Sequence, residues 1–177
     1  MDEVYYIGIA ASSEEPSTKL IKNARGFLDE LSSHVDKLRI VLGGYWGLMK
    51  YIADYADKHG FYTIFILPSY PREEVPRKKN FIPINTGLDY PTRSTILAKT
   101  SDLLVALGGR VGSITEIMLA YDYGKPIIIV HGTGYDTDRL YRAFTKTIDS
   151  RHLAPIYYVK NGLEAANKIM EILGLRT

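Results

Sequence analysis

The chain has 177 residues, of which 46% are apolar and 24% charged, a mix typical of one globular domain and not of a disordered segment or a coiled coil. Twenty-two Lys and Arg residues against twenty Asp and Glu residues leave a net charge of +2, too balanced for a general nucleic-acid or membrane surface. The chain has no cysteine, which excludes disulfides, thiolate catalysis and Cys-ligated metal.

We therefore expect residues 1–177 to form a single domain in the reducing cytoplasm, with no nucleic-acid polymer as partner. The chain begins without a basic or apolar leader, and no apolar run approaches membrane-spanning length. We accordingly expect neither secretion nor a membrane partner.

Apolar runs that are typical of buried strands alternate with segments whose apolar residues recur at helical spacing. The predicted strands cover residues 4–11, 38–42, 61–67, 81–84, 103–107, 126–130 and 156–159. The predicted helices cover residues 18–31, 46–59, 91–100, 113–123, 138–148 and 162–173. The polar, proline-rich segment 68–80 is predicted to be a long, exposed and mobile loop.

This alternation predicts an α/β fold, a Rossmann-like doubly wound parallel sheet of six or seven strands with helices on both faces. In such folds a ligand lies beyond the carboxyl ends of the strands, where loops lead into helix N-termini. The search for a site is thereby limited to a few loops.

Two predicted strands end in paired glycines that lead into helices, and these loops read GGYWG at 43–47 and GGRVGS at 108–113. Glycine lets backbone amides approach a ligand closely, and a helix N-terminus attracts phosphate. One such loop would favour a plain tight turn, whereas two loops on one sheet edge favour a phosphorylated ligand. The candidate phosphate- and nucleotide-binding residues in these loops are Gly43, Gly44, Gly47, Gly108, Gly109, Gly112 and Ser113.

Neither glycine loop has the dinucleotide pattern G-x-G-x-x-G or the lysine of a P-loop, so tightly bound NAD and Walker-type ATP binding are not supported. Glu116 follows Ser113 by three residues, a spacing that fits either a helix capping box or an active-site carboxylate. Arg93 is likewise either a solvated surface arginine or a phosphate clamp.

The stretch from Arg93 to Glu116 contains an arginine, the Ser101-Asp102 pair, an apolar strand and the run G-G-x-x-G-S-x-x-E. It resembles the core of the "lonely guy" family of nucleoside 5′-monophosphate phosphoribohydrolases, long mislabelled lysine decarboxylases, with its Arg, Ser-Asp, strand and P-G-G-x-G-T-x-x-E. The run GGYWGLM at 43–49 is similar to the family's G-G-G-x-x-G-L-M, and the first strand followed by Ser12 resembles its opening Gly-Ser segment.

The resemblance implies that Arg93 and Glu116 form a catalytic pair and that Gly109, Gly112 and Ser113 hold a 5′-phosphate. The reaction would be hydrolysis of the bond between a base and ribose 5-phosphate, in which a carboxylate stabilises positive charge that develops on the sugar. The resemblance also implies a homodimer with the site near the subunit interface, and no cofactor.

The chain departs from the family pattern at four places. Leu107 stands for the motif's Pro, Ser113 for its Thr and Ser94 for a Lys, while Arg110 and Val111 together occupy a single family position. Some members of the same superfamily, including molybdenum-cofactor carrier proteins, are similar in these loops yet bind their ligand without turning it over. The first hypothesis is therefore a nucleoside 5′-monophosphate hydrolase, and the alternative is a non-catalytic nucleotide- or cofactor-binding carrier.

Other residues near the predicted sheet edge have both a functional and a structural interpretation. Arg77, Lys78 or Lys79 is a candidate to close over a phosphate as a lid, for which a solvated loop is the simpler alternative. Tyr45 and Trp46 are candidates to stack on a base, and core or dimer packing explains them equally well.

The four histidines lack metal-ligand spacing, so the sequence predicts no metal site. His131 follows a strand and fits a hydrogen-bonded turn more simply than a ligand contact, and Asp136 and Asp138 fit helix capping. No lysine stands at a strand end in position for a pyridoxal aldimine, so decarboxylation is not expected.

Overall fold

The computed structural model describes residues 3–175, so residues 1, 2, 176 and 177 of the predicted domain lie outside the described part. Seven parallel strands form one sheet in the order β4-β3-β2-β1-β5-β6-β7. The strands are β1 (Tyr5–Ala10), β2 (Leu38–Leu42), β3 (Tyr62–Leu67), β4 (Phe81–Asn85), β5 (Leu103–Ala106), β6 (Ile127–Val130) and β7 (Ile156–Val159). The predicted α/β, Rossmann-like parallel sheet is confirmed.

Helices cover both faces of this sheet. They are α1 (Thr18–Leu31), α2 (Gly47–Lys58), α3 (Tyr90–Thr100), α4 (Val111–Asp122), α5 (Leu140–Ala143) and α6 (Gly162–Ile172). Buried residues of α1, α2 and α6 form one hydrophobic core with the sheet, and buried residues of α3, α4 and α5 form a second core on the other face. Consecutive residues of the central strands alternate between the two cores, as Ile9 and Ala10 of β1 do.

The strand order places β1 between β2 and β5. After β1 the chain builds the sheet outward through β4, and it then returns to the other side of β1 with β5. The loops that follow β1, β2 and β5 therefore meet at a topological switch point, which is the position where ligands bind in open α/β sheets.

Helix α4 begins two residues before the predicted start. Its N-cap is Arg110, so Ser113 is the third helical residue and not a cap. The capping-box interpretation of Ser113 and Glu116 is therefore wrong, and both side chains are buried.

The helix predicted at residues 138–148 is also wrong, because a 3₁₀ turn at Asp136–Arg139 leads into the single-turn helix α5, which ends at Ala143. The single hydrogen of the Tyr158 hydroxyl is shared between the carbonyl oxygens of Leu140, at 3.0 Å, and Phe144, at the end of this helix. The following loop is held instead by the buried Tyr121 hydroxyl, which lies 2.9 Å from Oδ1 of Asp149. Contacts from residues distant in sequence therefore end this helix early.

Within residues 3–175, no helix is both long and apolar enough to cross a membrane.

Candidate functional site

A cavity of about 370 Å³ opens where the loops after β1, β2, β3 and β5 meet the first turns of α2, α3 and α4. This volume lies within the range of small-molecule sites. The lining combines polar, charged and apolar side chains from all of these elements. It consists of Ala11, Ser12, Ser13, Trp46, Met49, Arg72, Tyr90, Pro91, Arg93, Ser94, Arg110, Val111, Gly112, Ser113, Thr115 and Glu116.

Arg93 and Glu116, which lie 23 positions apart in the chain, meet at the base of this cavity. Nη1 of Arg93 lies 3.2 Å from Oε1 of Glu116, and the two side chains are only 7% and 9% exposed. The Ser94 hydroxyl donates to the same Oε1 atom at 3.1 Å. The structure thus brings together the two residues predicted to form a pair, as a buried ion pair with a neutral hydroxyl beside it.

Burial dominates the electrostatics of this pair. It raises the pKa of the Glu116 carboxyl, and the charge of Arg93 and the Ser94 hydrogen bond offset that rise only in part. Burial likewise lowers the pKa of Arg93, partly offset by the Glu116 carboxylate. Nε of Arg93 is buried without a hydrogen-bond partner among the described residues, so the ion pair is held without full satisfaction of its donors.

The glycines of the first glycine loop lie behind the cavity wall and do not line it. A Cβ atom on Gly43 would lie 2.0 Å from Nη1 of Arg93, and one on Gly44 would lie 2.1 Å from the indole ring of Trp46. These two glycines make room for an arginine and a tryptophan that do line the cavity. Gly43 and Gly44 therefore support side chains that line the cavity and do not themselves face it.

The N-terminus of α2 is closed by the loop after β1. The amide of Leu48 donates to the Ser12 carbonyl at 3.0 Å, and Gly47, with φ at +56°, packs against the backbone of Ser13 and Glu14. The Ser12 hydroxyl accepts from the amide of Glu14 at 3.2 Å. Ser12 lines the cavity, whereas Gly47 lies against the backbone of Ser13 and Glu14 and does not line it.

The N-terminus of α4, by contrast, faces the cavity. Gly112 and Ser113 line it, and a Cβ atom on Gly112 would meet nothing within 4 Å. Gly109 lies behind Ser113, because its Cβ atom would come 2.0 Å from the Ser113 hydroxyl oxygen, and Gly108 adopts φ at +109° beside Leu20. Of the four predicted binding residues in this loop, Gly112 and Ser113 line the cavity, whereas Gly108 and Gly109 lie behind it.

Helix capping distinguishes α4 from most long helices of the described chain. Side chains cap the N-termini of α1, α3 and α6, where Ser17, Asp89 and Asn161 accept backbone N–H bonds. No side chain caps α2 or α4. Since the chain after β1 closes the α2 end, α4 presents the open N-terminus at the cavity, an arrangement that binds anions.

Charged residues give the cavity a positive balance, because its lining contains three arginines and one glutamate. Arg110 is exposed and pairs with Glu14 at 3.0 Å. Arg72, on the loop after β3, also lines the cavity.

The long loop predicted at 68–80 brings Arg72 to the site, not Arg77, Lys78 or Lys79. Nζ of Lys78 is paired with Asp54 at 2.7 Å, on the outer surface of α2. Of the four basic side chains in this described loop, only Arg72 lines the cavity.

Apolar residues form another side of the cavity, where Trp46, Met49, Tyr90 and Pro91 lie. The Trp46 and Tyr90 rings meet edge to face with centroids 6.0 Å apart. Tyr45 instead packs in the core against Phe65 and donates from its hydroxyl to Asp54 at 2.9 Å. Trp46 is buried, whereas Tyr90 is 38% exposed, so the cavity offers the ring of Tyr90 beside its cationic groups, which suits a ligand with a flat ring and an anionic group.

The remaining candidates lie outside this cavity. His131 stacks on Tyr141 with centroids 4.8 Å apart, and Asp138 accepts bonds from the amides of Thr133 and Gly134. Across residues 3–175 no three His, Cys, Asp or Glu side chains come together as a metal site.

Sequence reasoning missed Arg72, Tyr90 and Met49 as cavity residues. Arg72 follows β3 at the same sheet edge as the glycine loops, a positional signal that its polar loop concealed. Sequence reasoning noted Arg110 only as an extra residue relative to the family pattern, yet Arg110 lines the cavity.

Comparison with known proteins places the chain among relatives of this fold. A family model described as the SLOG cluster4 family matches residues 4–161. An uncharacterized protein of Archaeoglobus fulgidus is 30% identical over 139 residues, which are 71% of this chain and 83% of that protein.

Two solved structures share the whole architecture. The X-ray structure of TM1055 superposes with a TM-score of 0.82 at 26% identity, covering 95% of this chain and 99% of that one. The molybdenum cofactor binding protein from Rippkaea orientalis superposes with a TM-score of 0.77 at 24% identity, covering 98% of this chain and 99% of that one. The resemblance to a family of Rossmann-like proteins, which the sequence motifs suggested, is thus confirmed by the family model and by the shared fold.

Proposed function

We propose that this chain, which belongs to the SLOG cluster4 family, binds a phosphorylated small molecule with a flat heterocycle and holds it without chemical change. The observation that carries this proposal is the uncapped N-terminus of α4, which opens on a cavity lined by three arginines and one glutamate. A phosphate there receives backbone N–H groups and the positive end of the helix dipole. The Ser113 hydroxyl, at the third helical position, lies beside those groups.

The arrangement of Arg93 favours binding over catalysis. Its guanidinium is already paired with Glu116, and the family's neighbouring lysine is replaced by Ser94, which adds a hydrogen bond and no charge. The buried cation and the carboxylate therefore balance each other at the base of the cavity. The phosphate would then be held by the N-terminus of α4 and by Ser113, and the heterocycle by Tyr90, the exposed ring that meets Trp46.

The likeness to a molybdenum cofactor binding protein supports the carrier role as a proposal. The sequence has no cysteine, and the described residues hold no cluster of three metal ligands. The protein would therefore bind a metal-containing ligand through the organic and phosphate groups of that ligand.

A second candidate function is hydrolysis of a nucleoside 5′-monophosphate to free base and ribose 5-phosphate. This candidate depends on the buried Arg93–Glu116 pair, the two residues that the family resemblance implies are catalytic. Glu116 would position a water molecule whose oxygen attacks the sugar carbon as the bond to the base breaks, and the proton that this water loses would pass to the departing base. Burial raises the pKa of Glu116, so this activity would increase as the carboxyl ionises at higher pH.

One set of incubations tests both candidates. The purified protein is mixed with AMP, GMP, CMP, UMP and an N6-substituted AMP, and products are separated by chromatography while melting temperatures are recorded. Binding without chemistry predicts a higher melting temperature and no free base. Release of base by the parent, but not by Glu116→Gln, would establish the hydrolase, and Glu74→Gln on an exposed loop is the matched control.

We also propose a cytoplasmic homodimer, as the absence of cysteine and the family resemblance suggest. Light scattering that gives the 19.9 kDa mass of a single chain would contradict the dimer.

A further inference from the structure

Two arginines at the cavity mouth take no part in the Arg93–Glu116 pair. The side chain of Arg110 is 64% exposed and is joined to Glu14, which is itself 45% exposed. Arg72 is exposed and makes no ion pair with any residue in 3–175. Both line the cavity, and neither has a buried ion-pair partner among the described residues.

The two arginines approach from opposite sides of the crevice. Arg72 follows β3 and Arg110 follows β5, and the sheet places β2 and β1 between those strands. Three strand spacings separate the two strand ends, a distance of about 14 Å. A group between these long side chains would sit over the mouth, beyond the phosphate on the first turn of α4.

The loop that carries Arg72 is fastened to its surroundings. Glu73 pairs with Lys50 of α2 at 2.5 Å, and Lys78 pairs with Asp54 at 2.7 Å. The hydroxyl of Tyr90 donates to the carbonyl of Tyr70 at 3.0 Å. These contacts hold the backbone of the loop near the cavity, and the exposed side chain of Arg72 becomes ordered when it binds a ligand.

We infer that the ligand carries a second phosphoryl group, as in a nucleoside diphosphate, held at the cavity mouth by Arg72 and Arg110. The exposed pair between Arg110 and Glu14 contributes little stability, so its exchange for a phosphate costs little. Arginine binds phosphate through two parallel charge-assisted hydrogen bonds, and two arginines surround one such group. The inference rests on the proposed function, since it extends the same anion site.

The test compares ADP with AMP by isothermal titration calorimetry at low salt, with EDTA present to exclude divalent cations. Pyrophosphate and inorganic phosphate serve as probes without a base. We expect ADP to bind at least tenfold more tightly than AMP, and pyrophosphate more tightly than phosphate. Arg72→Gln and Arg110→Gln are each expected to bring the ADP-to-AMP affinity ratio toward one.

Arg77→Gln is the matched control, because Arg77 is an exposed arginine of the same loop and does not line the cavity. It is expected to keep the full preference for ADP. Equal affinity for ADP and AMP, or a preference that survives both Arg72→Gln and Arg110→Gln, would overturn the inferred second phosphoryl site and leave the proposed phosphate site on α4 unaffected. Failure of ADP, AMP, pyrophosphate and phosphate to bind the folded protein would overturn both the proposed phosphate site and the second phosphoryl site.

Discussion

The guanidinium of Arg93 fills the space that a side chain on Gly43 would need. A Cβ atom at position 43 would lie 2.0 Å from Nη1 and 2.7 Å from Cζ of Arg93. Arg93 in turn reaches Glu116 on α4 at 3.2 Å. A glycine after β2 is thus a condition for the ion pair between α3 and α4.

Gly43→Ala is expected to displace Arg93 and weaken its pair with Glu116. Overpacking of this kind costs about 1–3 kcal/mol, and in a chain of this size each kcal/mol lowers Tm by about 2–4 °C. Thermal unfolding and AMP titration measure the two effects, and both Tm and affinity are expected to fall.

The matched control for this substitution is Gly26→Ala in α1, where the added Cβ atom would lie at an ordinary 3.8 Å from the nearest atom. Alanine also has the higher helix propensity, so this variant should match or exceed the parent in stability. A Gly43→Ala protein with unchanged Tm and affinity would show that Arg93 has room to move.

A double-mutant cycle measures the Arg93–Glu116 coupling. Arg93→Met alone leaves a buried carboxylate without its cation, and Glu116→Leu alone leaves a buried cation without its anion. Removing one partner of a buried pair costs about 3–5 kcal/mol, whereas replacing both with apolar side chains leaves no unpaired charge.

The double variant is therefore expected to lose much less stability than the sum of the two single losses. Urea unfolding at pH 8, where an exposed glutamate is ionised, gives all four free energies. Strict additivity of the two single effects would mean that the pair contributes no coupling.

Periodicity along the chain was enough to predict the sheet and most helices, because apolar spacing is a local property. The start of α4 was not predictable in this way. Ser113 and Glu116 have capping-box spacing, yet the cap is Arg110, and both side chains face the cavity. The capping-box spacing of Ser113 and Glu116 is therefore coincidental, because both side chains are buried at the cavity and neither caps the helix.

At the site, likewise, the sequence identified some residues, but their contacts depend on the folded structure. Arg93 and Glu116 were candidates through the family resemblance, but their burial and the contact of Arg93 with Gly43 depend on helices that meet only in the folded chain. Arg72 had no motif, and it reaches the cavity because its loop follows β3 and is braced on α2 by Lys50 and Glu73.

The stability of the protein should depend on pH through Glu116. Burial raises the pKa of this carboxyl in the folded state above its ordinary value of 4.5, so the folded state binds more protons than the unfolded state in the interval between the two values. The contribution of Glu116 is most favourable below pH 4.5 and is lost as pH rises toward the folded-state pKa.

The free energy of unfolding of the parent minus that of Glu116→Gln should therefore decrease with rising pH above 4.5, by at most about 1.4 kcal/mol per pH unit. Urea titrations between pH 4 and 8 measure this difference, with Glu74→Gln as the exposed control. A difference that rises with pH would mean that Arg93 outweighs the burial of the carboxyl.

Substitutions at Gly112 and Gly109 of the second loop distinguish direct phosphate binding from the packing that supports the phosphate site. A methyl group at position 112 would meet no protein atom within 4 Å and would point into free space beside the first turn of α4, whereas one at position 109 would collide with the Ser113 hydroxyl at 2.0 Å. Gly112→Ala is therefore expected to keep or raise the Tm of the free protein and to weaken AMP binding about tenfold, or 1.4 kcal/mol. Gly109→Ala should lower both Tm and affinity, because Ser113 must move. If Gly112→Ala binds AMP as tightly as the parent, the phosphate lies elsewhere than the N-terminus of α4.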